Sequence, residues 1–426
     1  NGKAVIGADP FCTITSKDGA TACVRDGSTT IVHDDPLYVV KSCLELYSIE
    51  EEFYPEVPFS GGAVGYFSYD LGRTIETLPG CADDDLNTPD ICLGLYDSAL
   101  CVDLANKKCT AVSWSGDSSA IDRWRKLAES APQSRPKHPG IPVIHSFNGD
   151  EPKSNFTKTQ YLDAVERIKE YIARGDVYQV NLTQRFQESI PCSAWELYKT
   201  LRVLNPAPQS CYMELGPIVL ASASPELFLS YDPATRRIET RPIKGTRPRG
   251  ASAEQDKNLA KELSASAKDR AENLMIVDME RNDLGRVAEF GSVRVPKLWD
   301  IETHPNVFQM VSTVEARLAK DYGPIDLIRA SFPGGSITGA PKIRAMEIIE
   351  ELEPHRRGLY TGSAGFIDFR GYVKLNIVIR SFIIKDSTAY YHASGGIVID
   401  SKPESEYQET LDKVSGLRAA LKEAAG

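Results

Sequence analysis

Histidine, paired cysteine and long apolar runs are scarce in this sequence of 426 residues. No run of about 18 apolar residues occurs, so the sequence predicts no membrane-spanning helix. The six histidines, and the nine cysteines without a CxxC pair, argue against a zinc site. Cysteines in apolar surroundings, such as Cys92 and Cys101, are typical of buried free thiols. We therefore expect a protein of a reducing compartment, the cytoplasm.

Positive charge is also in short supply. The formal net charge is -10, and no basic stripe with interleaved aromatic residues occurs, which excludes nucleic acid as the expected partner. An anionic substrate would need a local basic pocket, because the overall field repels it. The N-terminus has no signal-peptide pattern, and it begins with Asn1 rather than methionine, which indicates that upstream residues are missing.

The length allows a large core or more than one domain. A proline- and glycine-rich stretch at 131–155 is the best candidate boundary, and it separates an N-terminal region (1–150) from a second region (151–426). Clusters of strands alternate with long helices, which predicts an α+β fold with large, mainly antiparallel sheets and helices outside. Near the C-terminus the pattern predicts three strands, at 359–369, 372–385 and 389–399.

The segment Arg241–Thr246 places a lysine, Lys244, in a predicted loop between a strand and a long charged helix. Gly245 allows the backbone to approach a ligand closely, and Thr246 adds a hydroxyl and an N–H group beside it. By itself such a lysine is more often a solvated charge among arginines. The other motifs of the chain decide between these two interpretations.

Two pairs of carboxylates lie on two predicted helices. Asp269 and Glu272 share one helix face, and Glu406 and Glu409 share a face with Lys413. Two such pairs could meet around Mg²⁺, which prefers oxygen ligands and retains open positions for substrate oxygens. The alternative is two solvated acidic faces near helix N-termini, where the helix dipole favours them.

A glycine-rich loop, 334–342, precedes another helix. Pro341 suits a first helical turn, so the N–H groups of the loop would form an anion site, to which Lys342 adds charge. It is not a P-loop, because Lys342 does not directly follow Gly339 and Ile343 stands where Ser or Thr is required. A plain strand–helix turn is the alternative.

Two further side chains are candidates for acid–base chemistry. Glu226, in Ser224-Pro225-Glu226, could act as a general acid if an apolar cavity raises its pKa, although an exposed glutamate at a strand start is the alternative. His304 is the other candidate, but a lone histidine is more often structural.

Taken together and in this order, these motifs resemble the chorismate-utilising enzymes, the family that includes anthranilate synthase component I. The segments that carry the resemblance are Tyr178–Arg185, Ser224–Glu226, Arg241–Thr246, Glu272–Arg286, Pro333–Lys342, Tyr360–Gly365 and Gly395–Lys413. The glycine-aromatic stretch 60–69 is similar to the N-terminal region of the family. The resemblance implies two large antiparallel sheets packed face to face, with helices outside and the active site between the lobes.

Lys244 decides which branch of the family is resembled, because anthranilate synthases carry alanine at this place in the Pro-Ile-x-Gly-Thr motif. The resemblance implies amination of chorismate at C4, for 4-aminobenzoate and folate synthesis. Lys244 would form a covalent intermediate at C2, and Glu226 would protonate the leaving hydroxyl. His304 is similar to an active-site histidine. Isochorismate synthases use a lysine near Gln179, and glutamine stands here instead.

The resemblance also implies the binding sites. Mg²⁺ would be held by Glu272 and Glu409, with Asp269 and Glu406 nearby. The residues expected to bind the carboxylates of chorismate are Thr246, Gly339, Lys342, Tyr360, Arg380, Gly396 and Lys413.

Ammonia would come from a partner, a glutamine amidotransferase subunit (component II). No cysteine of this chain lies in a Gly-x-Cys-x-Gly nucleophile turn, so the chain itself is not expected to hydrolyse glutamine. Two alternatives stay open: anthranilate synthesis from the same substrate, and a catalytically silent paralogue that binds chorismate. The acidic pairs, Glu226 and Lys244 argue against the silent paralogue.

Overall fold

The computed structural model describes residues 2–48, 57–130, 152–190 and 192–424. The predicted boundary at 131–155 lies outside the described residues, apart from its last four positions.

Within these ranges the chain forms 22 strands, which are β1 (Lys3–Ile6), β2 (Cys12–Lys17), β3 (Ala20–Arg25), β4 (Ser28–Val32), β5 (Gly62–Phe67), β6 (Ile91–Tyr96), β7 (Ser98–Asp103), β8 (Lys108–Ser113), β9 (Lys153–Ser154), β10 (Gln179–Ser189), β11 (Cys211–Leu215), β12 (Ile218–Ser222), β13 (Leu227–Asp232), β14 (Arg237–Arg241), β15 (Ile243–Pro248), β16 (Arg294–Thr303), β17 (Val307–Arg317), β18 (Gly339–Ala340), β19 (Ser363–Asp368), β20 (Val373–Ile377), β21 (Ser381–Lys385) and β22 (Thr388–Ile397). The α-helices of the same ranges are α1 (Pro36–Glu45), α2 (Gly72–Ile75), α3 (Ser118–Ser130), α4 (Lys158–Ala173), α5 (Ala194–Leu204), α6 (Ala253–Ala265), α7 (Ala267–Gly285), α8 (Pro324–Ser331), α9 (Lys342–Leu352) and α10 (Pro403–Ala424).

Strands from both ends of the chain build one twelve-stranded sheet. Its order is β15-β17-β14-β13-β20-β19-β5-β6-β2-β3-β4, and β16 pairs with β17 beside this path. The join is the antiparallel pairing of β5 with β19, in which Phe67 lies opposite Ser363 and Gly62 opposite Asp368. Strands from the first hundred residues therefore share one hydrogen-bonded layer with strands that follow residue 226.

A seven-stranded sheet forms the second layer. Its order is β11-β12-β21-β22-β10-β18, and β9 pairs with β10. One buried apolar cluster holds Tyr66 and Ala364 of the larger sheet together with Leu220 and Ile383 of the smaller one. The two sheets therefore share a core. Helix α7 packs on β15 and β17 of the larger sheet, and α10 packs on β22 of the smaller one. The predicted α+β fold, with large antiparallel sheets and helices outside, is confirmed.

The predicted strand 372–385 is wrong, because it is two strands in two different sheets. β20 pairs with β13 and β19 in the larger sheet, whereas β21 pairs with β12 and β22 in the smaller one. Arg380, in the link between them, has a left-handed backbone with φ of 53°. The link carries no glycine or proline, so the sequence shows no turn signal there.

A third, three-stranded sheet (β1-β7-β8) carries α3. Helix α1 follows β4, and the Asp35 side chain caps its first N–H groups. None of the described helices has the length and apolar character needed to cross a membrane. All nine cysteines are free thiols; Cys92 and Cys101 are buried as predicted, whereas Cys81 and Cys109 are exposed.

Candidate active site

Lys244 lies in a bulge of an edge strand, so the prediction of a loop here is wrong. In the pairing of β15 with β17, Ile243 lies opposite Val311 and Thr246 opposite Gln309, which leaves one additional residue on β15. A bulge of this kind redirects a side chain out of the normal strand alternation. Gly245 has a φ of 86°, and a Cβ atom there would lie 2.9 Å from Asp269 Cβ. Glycine therefore lets β15 lie directly against α7.

The side chain of Lys244 faces several charges. Burial lowers its pKa below the ordinary lysine value; Glu272 opposes this effect, and Lys413 adds to it. No hydrogen bond or ion pair holds its amine in the part of the chain that the structure describes. The ammonium group of Lys244 therefore loses its proton more easily than that of an ordinary lysine. Within the described residues, the amine is not held by a hydrogen bond or an ion pair.

Glu226 is a buried carboxyl group at the start of β13, with 5% of its surface exposed. Burial raises its pKa to about 7, although the Ser336 hydroxyl, Lys244 and the Ile243 N–H favour the ionised form. The turn before it is held by a hydrogen bond of 2.6 Å from Ser224 Oγ to Ile377 O. The raised pKa of this buried carboxyl group suits a general acid, and the alternative of an exposed glutamate is wrong. Its catalytic role stays a prediction.

The acidic pairs of α7 and α10 face each other. Burial raises the pKa of Glu272, and Asp269 and Glu409 raise it further. Burial also raises the pKa of Glu406, again with a contribution from Glu409. The interaction of Glu272 with Glu409 joins like charges on two helices, so the alternative of two separate solvated faces is wrong.

Lysines neutralise part of this acidic cluster. Burial acts to raise the pKa of Glu409, but Lys413 Nζ, at 2.5 Å, and Lys268 outweigh it, and the net pKa is lowered. Lys268 Nζ also lies 3.9 Å from Glu272 Oε1. The sequence analysis did not single out Lys268, although its i,i+4 spacing from Glu272 is a signal for such a contact.

The donor chemistry of the acidic cluster fits a hard divalent cation, because its free oxygens are carboxylates that repel one another. One oxygen of Glu406 already accepts a hydrogen bond, because Ser401 Oγ donates to its Oε1 at 2.7 Å. Among residues 2–48, 57–130, 152–190 and 192–424, no three acidic, histidine or cysteine side chains already converge in a metal-ligating group. The magnesium site stays a prediction.

A polar network surrounds Ser394 of β22, next to the acidic cluster. Tyr360 Oη and Asn181 Nδ2 donate to its hydroxyl at 3.1 and 3.0 Å, and Lys413 Nζ donates to its carbonyl at 2.8 Å. Arg380 donates to the carbonyl of Lys413. Tyr360, Arg380 and Lys413 thus lie in one network, and their contact with substrate stays a prediction. Ser394 was missed, and its position just before two glycines was the only available signal.

Gly339 and Gly396 lie on either side of β10. A Cβ atom on Gly339 would lie 2.2 Å from Gln179 O, and one on Gly396 would lie 2.2 Å from Gln179 Nε2. The Gln179 side chain is buried, and its Oε1 has no hydrogen-bond partner within the described ranges. Both glycines therefore allow close backbone packing around Gln179, and their contact with substrate stays a prediction.

Lys342 is engaged inside the protein. Its Nζ donates to Asp283 Oδ2 at 2.6 Å and to the carbonyls of Ser331 and Pro333 at 3.0 and 2.8 Å. The predicted anion-binding lysine thus anchors the glycine-rich loop to α7.

We expect Lys342→Met to lower the free energy of unfolding by about 2 kcal/mol, because it leaves the buried Asp283 carboxylate unpaired. Adding Asp283→Asn should restore most of that loss, since no charge then stays behind. Urea unfolding of the two variants measures this. A raised KM for chorismate with unchanged stability would instead assign Lys342 to substrate binding.

Thr246 lies two residues after Lys244 on β15, whereas His304 follows β16, which pairs with the other side of β17. Thr246 is exposed and follows the bulge. His304 lies in the turn between β16 and β17, where its Nε2 is 3.8 Å from Glu302 Oε2 and Arg249 donates to its carbonyl at 2.9 Å. Among the contacts of the described residues, none joins His304 to Lys244, so its catalytic role stays a prediction.

Arg357 was missed by the sequence analysis, and it connects the parts of the site. This buried guanidinium pairs with Glu353 at 2.7 Å and donates to Ile337 O at 2.9 Å and to Asn181 O at 2.6 Å. It therefore fixes the glycine-rich loop, β10 and the turn before Tyr360 relative to one another. No motif indicates this role, because two of its partners, Ile337 and Asn181, are distant in sequence.

A buried acid beside an amine with a lowered pKa, next to opposed carboxylates, defines an enzyme site capable of acid–base and nucleophilic chemistry. The family model described as chorismate binding enzyme matches residues 1–419. The chain therefore belongs to the chorismate binding enzyme family.

Named relatives come from two branches of this family. Aminodeoxychorismate synthase component 1 of Salmonella typhimurium is 43% identical over 96% of this chain and 88% of its own length. Anthranilate synthase component 1 of Thermus thermophilus is 41% identical over 88% of this chain and 80% of its own length. The crystal structure of anthranilate synthase component I from Streptococcus pneumoniae matches 98% of this chain and 92% of that chain, with a TM-score of 0.84 and 30% identity.

Proposed function

We propose that this protein aminates chorismate at C4 to give 4-amino-4-deoxychorismate, the precursor of 4-aminobenzoate in folate synthesis. The observation that carries the proposal is the position of Lys244: a bulge directs its amine toward Glu226 and Glu272, and burial lowers its pKa. Similarity to aminodeoxychorismate synthase component 1 supports the same reaction. The chain is almost as similar in sequence to an anthranilate synthase as to an aminodeoxychorismate synthase, so Lys244 is the feature that decides between the two reactions.

The reaction begins with displacement at the ring. The neutral amine of Lys244 attacks C2, the two conjugated double bonds of the ring each shift by one position, and the C4–O bond breaks as Glu226 gives its proton to the leaving hydroxyl, which departs as water. In the second displacement ammonia attacks C4, the two double bonds shift back, and the C2–N bond breaks, returning the electron pair to Lys244. The new ammonium group at C4 then returns a proton to Glu226. The balance is one hydroxyl lost and one amino group gained. Glu226 is suited to the first step because it is buried and protonated up to about pH 7.

Substrate binding would use the positive and polar groups around Ser394. Tyr360, Arg380 and Lys413 supply a phenol, a guanidinium and an ammonium group within one network, and the exposed Thr246 lies beside Lys244. This local arrangement can bind a dianion despite the net charge of -10. Lys413 is shared between Glu409 and the Ser394 carbonyl, so anion binding would draw on an ammonium group that is already oriented.

Mg²⁺ would be held by Glu272 and Glu409, with Asp269 and Glu406 nearby. When bound, it would supply positive charge for the ring carboxylate of chorismate. The raised pKa of Glu272 supports this assignment, because the like charges that cause part of it would be relieved by a cation.

Ammonia would be delivered by a glutamine amidotransferase partner. The name of these relatives, component 1, implies a second subunit. The nine cysteines of this chain lie outside any Gly-x-Cys-x-Gly nucleophile turn, which supports a separate source of ammonia.

Product analysis tests the proposal. The chain is incubated with chorismate, Mg²⁺ and ammonium at alkaline pH, and products are separated with and without an added aminodeoxychorismate lyase. We expect a product that keeps its enolpyruvyl group and gives 4-aminobenzoate only when the lyase is present. A parallel reaction with EDTA should lose turnover, and excess Mg²⁺ should restore it.

Two other outcomes would replace the proposal. Fluorescent anthranilate with release of pyruvate would assign the chain to anthranilate synthesis. No turnover, even with an amidotransferase present, would assign it to chorismate binding without catalysis.

A further inference from the structure

Glu280 of α7 is a buried carboxyl group that the proposed reaction does not use. Only 2% of its surface is exposed. Its Oε1 accepts a hydrogen bond of 3.1 Å from the Gly335 N–H, and its Oε2 has no partner among the described residues. No lysine or arginine of those residues forms an ion pair with it. A buried acid without a cation is costly unless it is neutral.

Helix α7 contacts the glycine-rich loop (334–342) through two side chains. Glu280 and Asp283 lie three residues apart and so share a helix face. Asp283 holds the loop through Lys342, which donates to the carbonyls of Ser331 and Pro333. Glu280 holds it directly, at the N–H of Gly335. A Cβ atom on Gly335 would lie 3.2 Å from Met279 Cβ, so the loop lies against the helix at this point.

The residue that follows this contact faces the general acid. Ser336 is buried, and its hydroxyl favours the ionised form of Glu226. Glu226 and Glu280 therefore meet two adjacent residues of the loop, Glu226 at the side chain of Ser336 and Glu280 at the N–H of Gly335.

We propose that Glu280 is a positioning residue that, through the Gly335 N–H group, holds the Ser336 hydroxyl against the carboxyl group of Glu226. The inference rests on the role proposed for Glu226 in the reaction. Glu280 itself does not touch the reacting atoms. It acts by contact and not by charge: burial raises its pKa, and the neighbouring Asp283 and Glu226 raise it further, which favours the neutral form.

An effect of Glu280 by contact and an effect by charge predict opposite shifts in the pKa of Glu226. If Glu280 acts by contact, Glu280→Leu frees Ser336, and the pKa of Glu226 rises by about one unit because a hydrogen bond to its ionised form is lost. Glu280→Gln keeps the acceptor and leaves that pKa unchanged. If Glu280 were an ionised neighbour, both variants would lower the pKa of Glu226, because a like charge disappears.

The experiment is an infrared pH titration of the free protein, which follows the carbonyl stretch of protonated carboxyl groups. Glu226→Gln identifies the band that belongs to Glu226. We expect that band to titrate about one unit higher in Glu280→Leu and in Ser336→Ala, with no further shift in the double variant. Glu280→Met, with an unbranched side chain, repeats the measurement if the leucine variant does not fold.

Glu350→Leu is the matched control. Glu350 is also buried on a helix and accepts two backbone N–H groups, those of Cys81 and Ala82, at 3.0 Å each. Its replacement should lower stability without moving the Glu226 band. An unchanged band in Glu280→Leu, a lowered pKa in both Glu280 variants, or additive shifts in the double variant would each overturn the proposal.

The titration needs no substrate, so it separates this inference from the proposed reaction. If C4 amination is absent but the shifts occur, only the reaction is wrong. If amination occurs, Glu280→Leu should also lower kcat about tenfold with little change in KM, while Glu280→Gln stays near the parent.

Discussion

Replacing Lys244 with alanine is expected to lower kcat for C4 amination by about a thousandfold, because it removes the proposed nucleophile and with it the first of the two displacements. The fold should be unchanged, since no hydrogen bond or ion pair of the described residues depends on the amine. Mass spectrometry provides a second readout. Acid quenching after incubation with chorismate, without ammonia, should trap a chorismate adduct minus water on the parent protein only.

The variant Lys244→Arg distinguishes two roles of Lys244, that of a nucleophile and that of a positive charge that anchors the substrate. Arginine keeps the positive charge but cannot be deprotonated in a protein, so it cannot attack C2. We expect this variant to be as inactive as Lys244→Ala, whereas an anchoring role would leave the arginine variant largely active. Lys261→Ala, which removes an exposed lysine on α6, is the control and should keep full activity.

Glu226→Gln is expected to stabilise the protein at pH 8 while it disables catalysis. Burial raises the pKa of Glu226 from 4.5 to about 7. The pKa of Glu226 is thus higher in the folded protein than in the unfolded chain. Below about pH 4.5 the group is neutral in both states, and its contribution to stability is complete. That contribution is lost as the pH rises through 7. Above that pH the carboxylate destabilises the fold by about 3 kcal/mol, which the neutral amide avoids.

Urea unfolding at pH 4.5 and pH 8 measures this effect. The parent and Glu226→Gln should be similar at the lower pH, and the variant should be more stable at the higher one. Its kcat should fall by about 10² to 10⁴-fold, the usual contribution of a general acid. Glu350→Gln is the control with the opposite sign, because it breaks the ion pair with Arg73. A Glu226 variant that is less stable at pH 8 would contradict the buried neutral acid.

The sequence predicted the local features of the site well. The i,i+3 pairs on α7 and α10 depend only on helix geometry, so their shared faces followed from spacing. Glu226 lies at a strand start and is buried. The resemblance in long motifs then predicted the large antiparallel sheets that bring α7 and α10 together, a pairing that spacing alone does not determine.

Non-local contacts account for what was not predicted. Lys342 reaches Asp283 across 59 residues, and Glu280 reaches Gly335 across 55. Spacing along the chain contains no signal for such pairs. The bulge at Lys244 carries the same glycine and proline signals as a loop, and only the pairing with β17 shows that it belongs to a strand. The link at Arg380 has no signal at all.

The pairing of β5 with β19 cannot form until the ribosome has made β19, long after β5. Ser60 donates its N–H to Asp368 at 2.7 Å across 308 residues. At ordinary rates of synthesis, the edge of β5 waits about 15 to 60 s for its partner strand to be made. During that time the nascent chain carries an unpaired strand rich in apolar residues, which favours misassociation with other chains. We therefore expect chaperones that cover the edge of β5 during synthesis to raise the yield of folded protein.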